Sequence, residues 1–178
     1  MHSRALWITR TAVLTALLIV LQAVTMSFGN TIITGSVVNM ILIISVMTCG
    51  VATGLTVAVI APVMSKLLGI GPLWSLIPVI AVGNAVLILL WHIIGNRKTK
   101  NKYIAYVPAL IIAAGVKALV LHVGVVRIAI PLFLNLSEQQ ASVISNMYSL
   151  SQFVTALTGG VCAAIILSTL KKAIKRDV

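Results

Sequence analysis

Four titratable side chains stand apart from the other charged residues of this sequence, because they lie within or at the ends of long apolar stretches. They are Lys66, Lys117, His122 and Arg127. Lys117 is the most costly, since a lysine near the middle of a membrane helix costs about 2.5–3.5 kcal/mol on insertion scales. Either it extends to the outer headgroups, or it lines a cavity for an anionic or polar ligand. Lys66 and Arg127 are each either an anchor at the membrane interface or a ligand contact. His122 is either a hydrogen-bonded core residue or a hydrogen-bond donor to a ligand.

Neutral polar and aromatic side chains accompany these cations. Each amide either bonds a neighbouring helix or contacts a ligand, and each aromatic ring either anchors at the interface or stacks on a flat ligand. The residues are Asn39, Asn84, Asn146, Gln152, Trp74, Tyr148 and Phe153. They make one end of the chain's spans polar and basic and leave the other end aliphatic. This asymmetry predicts a binding pocket that opens outward.

Catalysis is not indicated by the residue inventory. The chain has two acids, Glu138 and Asp177, and lacks paired carboxylates, an HExxH pair and a Walker loop. We therefore predict that it is not an enzyme and holds no metal or cofactor. Because no carboxylate lies within a span, the chain also lacks the groups that ion-coupled carriers commonly use. Any uphill transport must then take its energy from a partner.

The composition is that of an integral membrane protein. Of 178 residues, 60% are hydrophobic and 8% charged, against about 25% charged in soluble domains. The net charge of +11 does not indicate nucleic-acid binding, because ten of the thirteen basic residues fall in three segments. The positive-inside rule places these segments, and both termini, in the cytoplasm, where they can contact anionic lipids. The ten residues are Arg4, Arg10, Arg97, Lys98, Lys100, Lys102, Lys171, Lys172, Lys175 and Arg176.

Apolar runs predict an all-α, polytopic bundle of six transmembrane helices that forms one membrane-embedded domain over 1–178. The second and third spans are short, and Pro62 interrupts the third. We expect outer loops at 27–35 and 127–146, a tight inner turn at 50–54 and buried, inert thiols at Cys49 and Cys162. The predicted spans are 6–26, 36–49, 55–68, 73–94, 103–126 and 147–170.

The first span carries small residues on one face. Thr9, Ala12, Ala16 and Ala23 follow helical spacing, so they form one stripe. A small stripe gains nothing against lipid, but it lets another helix approach closely. We predict that it is a docking surface for a partner.

The segment Ala12-Val-Leu-Thr-Ala16 resembles the AxxxA signature of substrate-binding S components of energy-coupling factor (ECF) transporters. The chain is also similar to them in size, predicted spans, basic tail and the Gly/Pro-rich loop before the fourth span. The resemblance implies a multi-pass subunit of the bacterial cell membrane that captures a vitamin or related micronutrient. It implies docking through Ala12 and Ala16 onto a transmembrane T component, with ATP used by two partner ATPases. Loops at 27–35, 66–74 and 127–146 would form a lid over the ligand.

The identity of the substrate stays open. A pocket with Lys117, Arg127 and Lys66 but no carboxylate should repel a cation such as thiamine. An anionic or neutral nutrient is therefore expected, with pantothenate or nicotinate ahead of cationic vitamins. Two alternatives are a stand-alone small-solute carrier and a membrane assembly protein without a ligand.

Overall fold

Long apolar helices make up most of the fold, because a backbone that crosses lipid must satisfy its hydrogen bonds internally. The computed structural model describes residues 2–69, 71–97, 99, 102–134 and 136–176, with side chains described among them from 4 to 169. No strand occurs within these ranges, which confirms the all-α prediction. Lys98 and Lys100 of the predicted basic loop, Asp177, and the side chains of the predicted basic tail lie outside the described residues.

The helices follow one another with short connections. A 3₁₀ turn, Trp74–Leu76, leads into α4, and a π-helical segment, His122–Ala129, joins α5 to α6. The α-helices are α1 (His2–Met26), α2 (Thr31–Cys49), α3 (Val51–Leu67), α4 (Ile77–Gly95), α5 (Lys102–Leu121), α6 (Ile130–Phe133), α7 (Glu138–Met147) and α8 (Leu150–Arg176).

Five helical stretches are long and apolar enough to cross a membrane. Helix α3 is apolar but has 17 residues, or about 25 Å at 1.5 Å per residue, against a hydrocarbon core of about 30 Å. The sixth span and the cytoplasmic termini therefore stay predictions. The five stretches, counted within the described residues, are Arg4–Met26, Thr31–Cys49, Trp74–Gly95, Lys102–Phe133 and Glu138–Thr169.

The predicted loop 27–35 and turn 50–54 are both too long. The Asn30 side chain accepts hydrogen bonds from the backbone N–H groups of Ile32 and Ile33, so α2 already begins at Thr31. At its other end Gly50 alone separates α2 from α3, with a φ of +89° that suits glycine. The second span is consequently 19 residues long rather than short.

The predicted connection 127–146 is wrong for most of its length. The helix of α5 continues through the π-helical segment and α6 to Phe133, and Pro131 fits because it lies at the start of α6. Helix α7 then begins after Ser137, whose side chain and that of Gln140 form a reciprocal capping box. Among the described residues of this connection, 134, 136 and 137 are not helical.

Helix α2 lies at the centre of the bundle, packed against α1, α3, α4 and α8, whereas α5 packs on α4 and α8. Helix α1 lies at the periphery and exposes much of its surface, with Val13 59% exposed. The thiols are not both buried as predicted, because Cys162 is exposed and Cys49 half-buried. This arrangement leaves α1 free on one side and surrounds the polar residues of α2 with helices.

Candidate ligand-binding cavity and docking groove

A cavity of about 270 Å³ lies at one end of the bundle. Its walls come from the C-terminal parts of α1, α3 and α5, the N-terminal parts of α2, α4 and α8, and the connection between α3 and α4. These helix ends are the ones that the sequence assigned to the outer side. The volume is slightly below the roughly 300–1,000 Å³ typical of pockets for drug-sized ligands, so the cavity suits a compact molecule.

Lys117 provides the charge of this cavity. Its side chain is 3% exposed, and its Nζ donates to Asn39 Oδ1 at 2.5 Å and to Asn84 Oδ1 at 2.8 Å. An ammonium group has three donors, so one N–H is left over. Within the described part of the chain, Lys117 is the one charged residue lining the cavity, and no carboxylate contacts it. Glu138 is exposed on α7.

A chain of hydrogen bonds extends from Lys117 to α8. Asn39 Nδ2 donates to Thr155 Oγ1 at 3.3 Å, and Thr155 Oγ1 donates to the carbonyl of Gln152 at 3.1 Å. Asn39 and Thr155 are both buried. The chain links α5, α2 and α8, and it fixes which atom of the Asn39 amide faces the lysine.

A second polar pair lies on the side of α1 and α3. Ser65 Oγ is 2.6 Å from Gln22 Oε1 and 2.8 Å from the carbonyl oxygen of Ala61, and both Gln22 and Ser65 line the cavity. Sequence reasoning missed this pair. The available signal was that Gln22 is the one side-chain amide in α1.

Five of the ten predicted ligand-site residues line the cavity. Gln152 lines the cavity with its Nε2 donating to the carbonyl of Met147 at 3.1 Å, and Tyr148 is half-buried at the turn before α8. The structure brings together Lys117, Asn39, Asn84, Tyr148 and Gln152. Their contact with a ligand stays a prediction.

The other five lie outside the cavity. His122 is half-buried, and its Nδ1 is 2.9 Å from Ser149 Oγ, which itself donates to the carbonyl of Ser145. Since the serine proton is used, Nδ1–H is the donor, and His122 joins the π-helical segment to the α7–α8 turn. The remaining residues are Lys66, half-buried, and the exposed Trp74, Arg127 and Asn146.

An apolar groove of about 440 Å³ runs between α1 and α3, and it includes Ala12 and Ala16. Both alanines are exposed, as are Thr9 and Ala23, so the predicted small stripe is not covered by the chain's own described helices. The groove is lined by Trp7, Ile8, Thr11, Ala12, Thr15, Ala16, Ile19, Thr56, Ile60 and Met64.

A family model described as "ECF transporter, substrate-specific component" matches residues 7–171. The match includes the cavity and the groove. The chain belongs to this family. No curated protein and no solved structure matched the chain.

Membership confirms the resemblance stated from the sequence. As a substrate-specific component of an ECF transporter, the chain is a multi-pass membrane protein of a transport system. The family is a class of transporter components rather than of enzymes.

Proposed function

We propose that this substrate-specific component captures a compact vitamin-like acid, or a neutral relative of one, in the cavity around Lys117. The observation that carries the proposal is the buried lysine without a carboxylate partner among the described residues. A buried charge without a counter-charge is costly, and a ligand carboxylate that accepts the third N–H would supply one. Asn39 and Asn84 hold Nζ so that this N–H is available to the ligand.

Energy for transport comes from partner subunits in this proposal. The exposed alanines of the groove support docking onto the helices of a transmembrane T component, with Ala12 and Ala16 at the contact. Two ATPases hydrolyse ATP, while the component itself uses no cofactor. It resides in the bacterial cell membrane with cytoplasmic termini and the cavity facing outward, consistent with the basic residues at 4, 10 and 97.

Isothermal titration of the purified component tests the ligand class. The probes are matched acid and neutral pairs, nicotinate with nicotinamide and pantothenate with pantothenol, together with thiamine. Wild-type protein should bind at least one acid more tightly than its neutral partner. In Lys117→Met the affinity for that acid should fall at least about 30-fold, because truncating one partner of a buried charge pair costs about 2–5 kcal/mol.

Lys66→Met is the matched control, since Lys66 is a lysine outside the cavity. The affinity of this variant for the acid should stay at the wild-type value. Tight binding of thiamine, or an unchanged affinity for the acid in Lys117→Met, would refute the anionic ligand class.

A further inference from the structure

The cavity has polar regions on two different sets of helices. Lys117 reaches it from α5, which packs on α4 and α8, whereas Gln22 and Ser65 reach it from α1 and α3. Because neither α1 nor α3 packs closely on α5, the two regions lie on different walls of the cavity. The apolar part of the lining includes Val38, Ala61, Pro62, Ile80 and Leu121. A ligand that fills the cavity can contact the cation on one wall and the neutral Gln22–Ser65 pair on another.

The Gln22–Ser65 pair keeps an unused hydrogen-bonding atom in either orientation of the amide. Ser65 Oγ carries one proton but has two acceptors within 2.8 Å. If the proton goes to Gln22 Oε1, the amide N–H₂ stays available. If the amide is turned, its nitrogen donates to Ser65 Oγ, the serine proton goes to the carbonyl of Ala61, and Gln22 Oε1 stays available.

We propose that Gln22 and Ser65 form a second, uncharged subsite that binds a hydroxyl group at the end of the ligand remote from Lys117. A hydroxyl donates and accepts, so it satisfies the pair in both orientations of the amide. A carboxylate, which has no proton to donate, suits one orientation alone. The substrate class that follows is a compact monocarboxylate with a terminal hydroxyl. This inference rests on the proposed function, because it takes Lys117 as the site of the carboxylate.

Three compounds built on one chemical scaffold test the two ends of the ligand separately. Pantothenate carries a carboxylate at one end and a hydroxyl at the other, pantothenol lacks the carboxylate, and pantothenate without its terminal hydroxyl lacks only that group. We expect wild-type protein to bind pantothenate about tenfold more tightly than the deoxy compound. Gln22→Met should bind both equally, at the wild-type affinity for the deoxy compound, because one hydrogen bond is lost. Ser65→Ala should reduce the same difference.

Controls distinguish a subsite from a pair that merely joins α1 to α3. Nicotinate has no hydroxyl, so its affinity should be the same in Gln22→Met as in wild type, and an equal loss for all acids would assign the pair a structural role. Gln139→Met, an exposed glutamine of α7 outside the cavity, should bind every probe like wild type.

The outcomes also separate this inference from the function on which it rests. Preference for acid over pantothenol, combined with equal binding of pantothenate and its deoxy form, overturns the subsite and leaves the anionic ligand class standing. No preference for the acid overturns the role of Lys117. Failure to bind any hydroxyl-bearing acid overturns the subsite whatever the result for nicotinate.

Discussion

Lys117 is a flexible side chain that the fold holds in one place. A free lysine loses up to about 2 kcal/mol of side-chain entropy when it is fixed, and the bonds from Nζ to Asn39 and Asn84 offset this loss before a ligand arrives. The remaining N–H is therefore oriented in advance. Preorganisation of this kind raises affinity because less freedom is lost on binding.

The two asparagines should differ in their effect on stability. Asn39→Leu removes an acceptor from Lys117 and also leaves Thr155 Oγ1 without its donor, whereas Asn84→Leu removes one acceptor only. We expect the free energy of unfolding to fall by about 1–3 kcal/mol for each unsatisfied group, and so to fall further in Asn39→Leu. Denaturant unfolding in detergent micelles measures this difference. Asn146→Leu, at an exposed site, should cost less than either, and equal losses in all three would contradict the role of the network.

Residue identity predicted about half of the candidate site. Lys117, Asn39 and Asn84 stand out because a polar group inside an apolar helix needs a partner. Arg127 and Trp74 are equally conspicuous in the sequence, but they lie outside the cavity. In a membrane helix the lipid-facing and core-facing sides are both apolar, so periodicity does not show which way a polar residue faces. Gln22 and Ser65 were missed for the same reason.

At the scale of helices, the contact between α2 and α8 depends on a glycine. A Cβ at Gly159 would collide with the carbonyl oxygen of Ser36 and lie 2.8 Å from Cβ of Asn39. The close approach lets Asn39 reach Thr155 on the neighbouring helix. Any side chain at Gly159 must therefore separate the two helices next to the cavity.

Gly159→Ala should lower the free energy of unfolding by about 1–3 kcal/mol, as overpacking commonly does, and should weaken ligand binding. Gly115→Ala is the control, since a Cβ there has its nearest neighbour, a carbon of Phe153, at 4.0 Å. The control should be neutral or slightly stabilising, because alanine favours helix over glycine. Thermal unfolding of both variants and titration with the best-bound acid measure these effects. If Gly159→Ala has wild-type stability and affinity, α2 and α8 can accommodate the added Cβ and the close contact is not required.

The groove between α1 and α3 should contact the T component. Ala12→Trp and Ala16→Trp each fill it with a large ring, so co-purification with the T component and ATPases should be lost while ligand affinity is kept. Val13→Trp places the same ring on an exposed position of α1 outside the groove, and it should co-purify normally. If both alanine variants still co-purify, α1 is not the contact.

The ends of the helices were predicted less well than their apolar middle parts. Residues 31–35 and 138–146 are polar enough to suggest loops, yet Asn30 and Ser137 cap helices there. Capping depends on a few side-chain hydrogen bonds, which average hydropathy does not register. Apolar runs predicted the long helices because in lipid few other structures satisfy the backbone.

On the scale of the whole molecule, transport should require partners. The described helices offer a cavity and a groove, and among the described residues no carboxylate lies in the cavity lining to couple solute to protons or sodium. In proteoliposomes the component alone should not accumulate radiolabelled ligand against a gradient. Accumulation should appear when the T component, both ATPases and ATP are supplied. A component that concentrates solute alone would be an independent carrier.

One feature of the cavity also bears on how such a subunit diversifies. Lys117 is its single charged residue within the described chain, and two neutral amides, not acids, hold it in place. A change at one codon, from lysine to methionine or glutamine, would remove the positive charge. It would leave no buried negative charge without a counter-charge. If the cavity binds an acid as proposed, this one substitution would turn the subunit to uncharged nutrients.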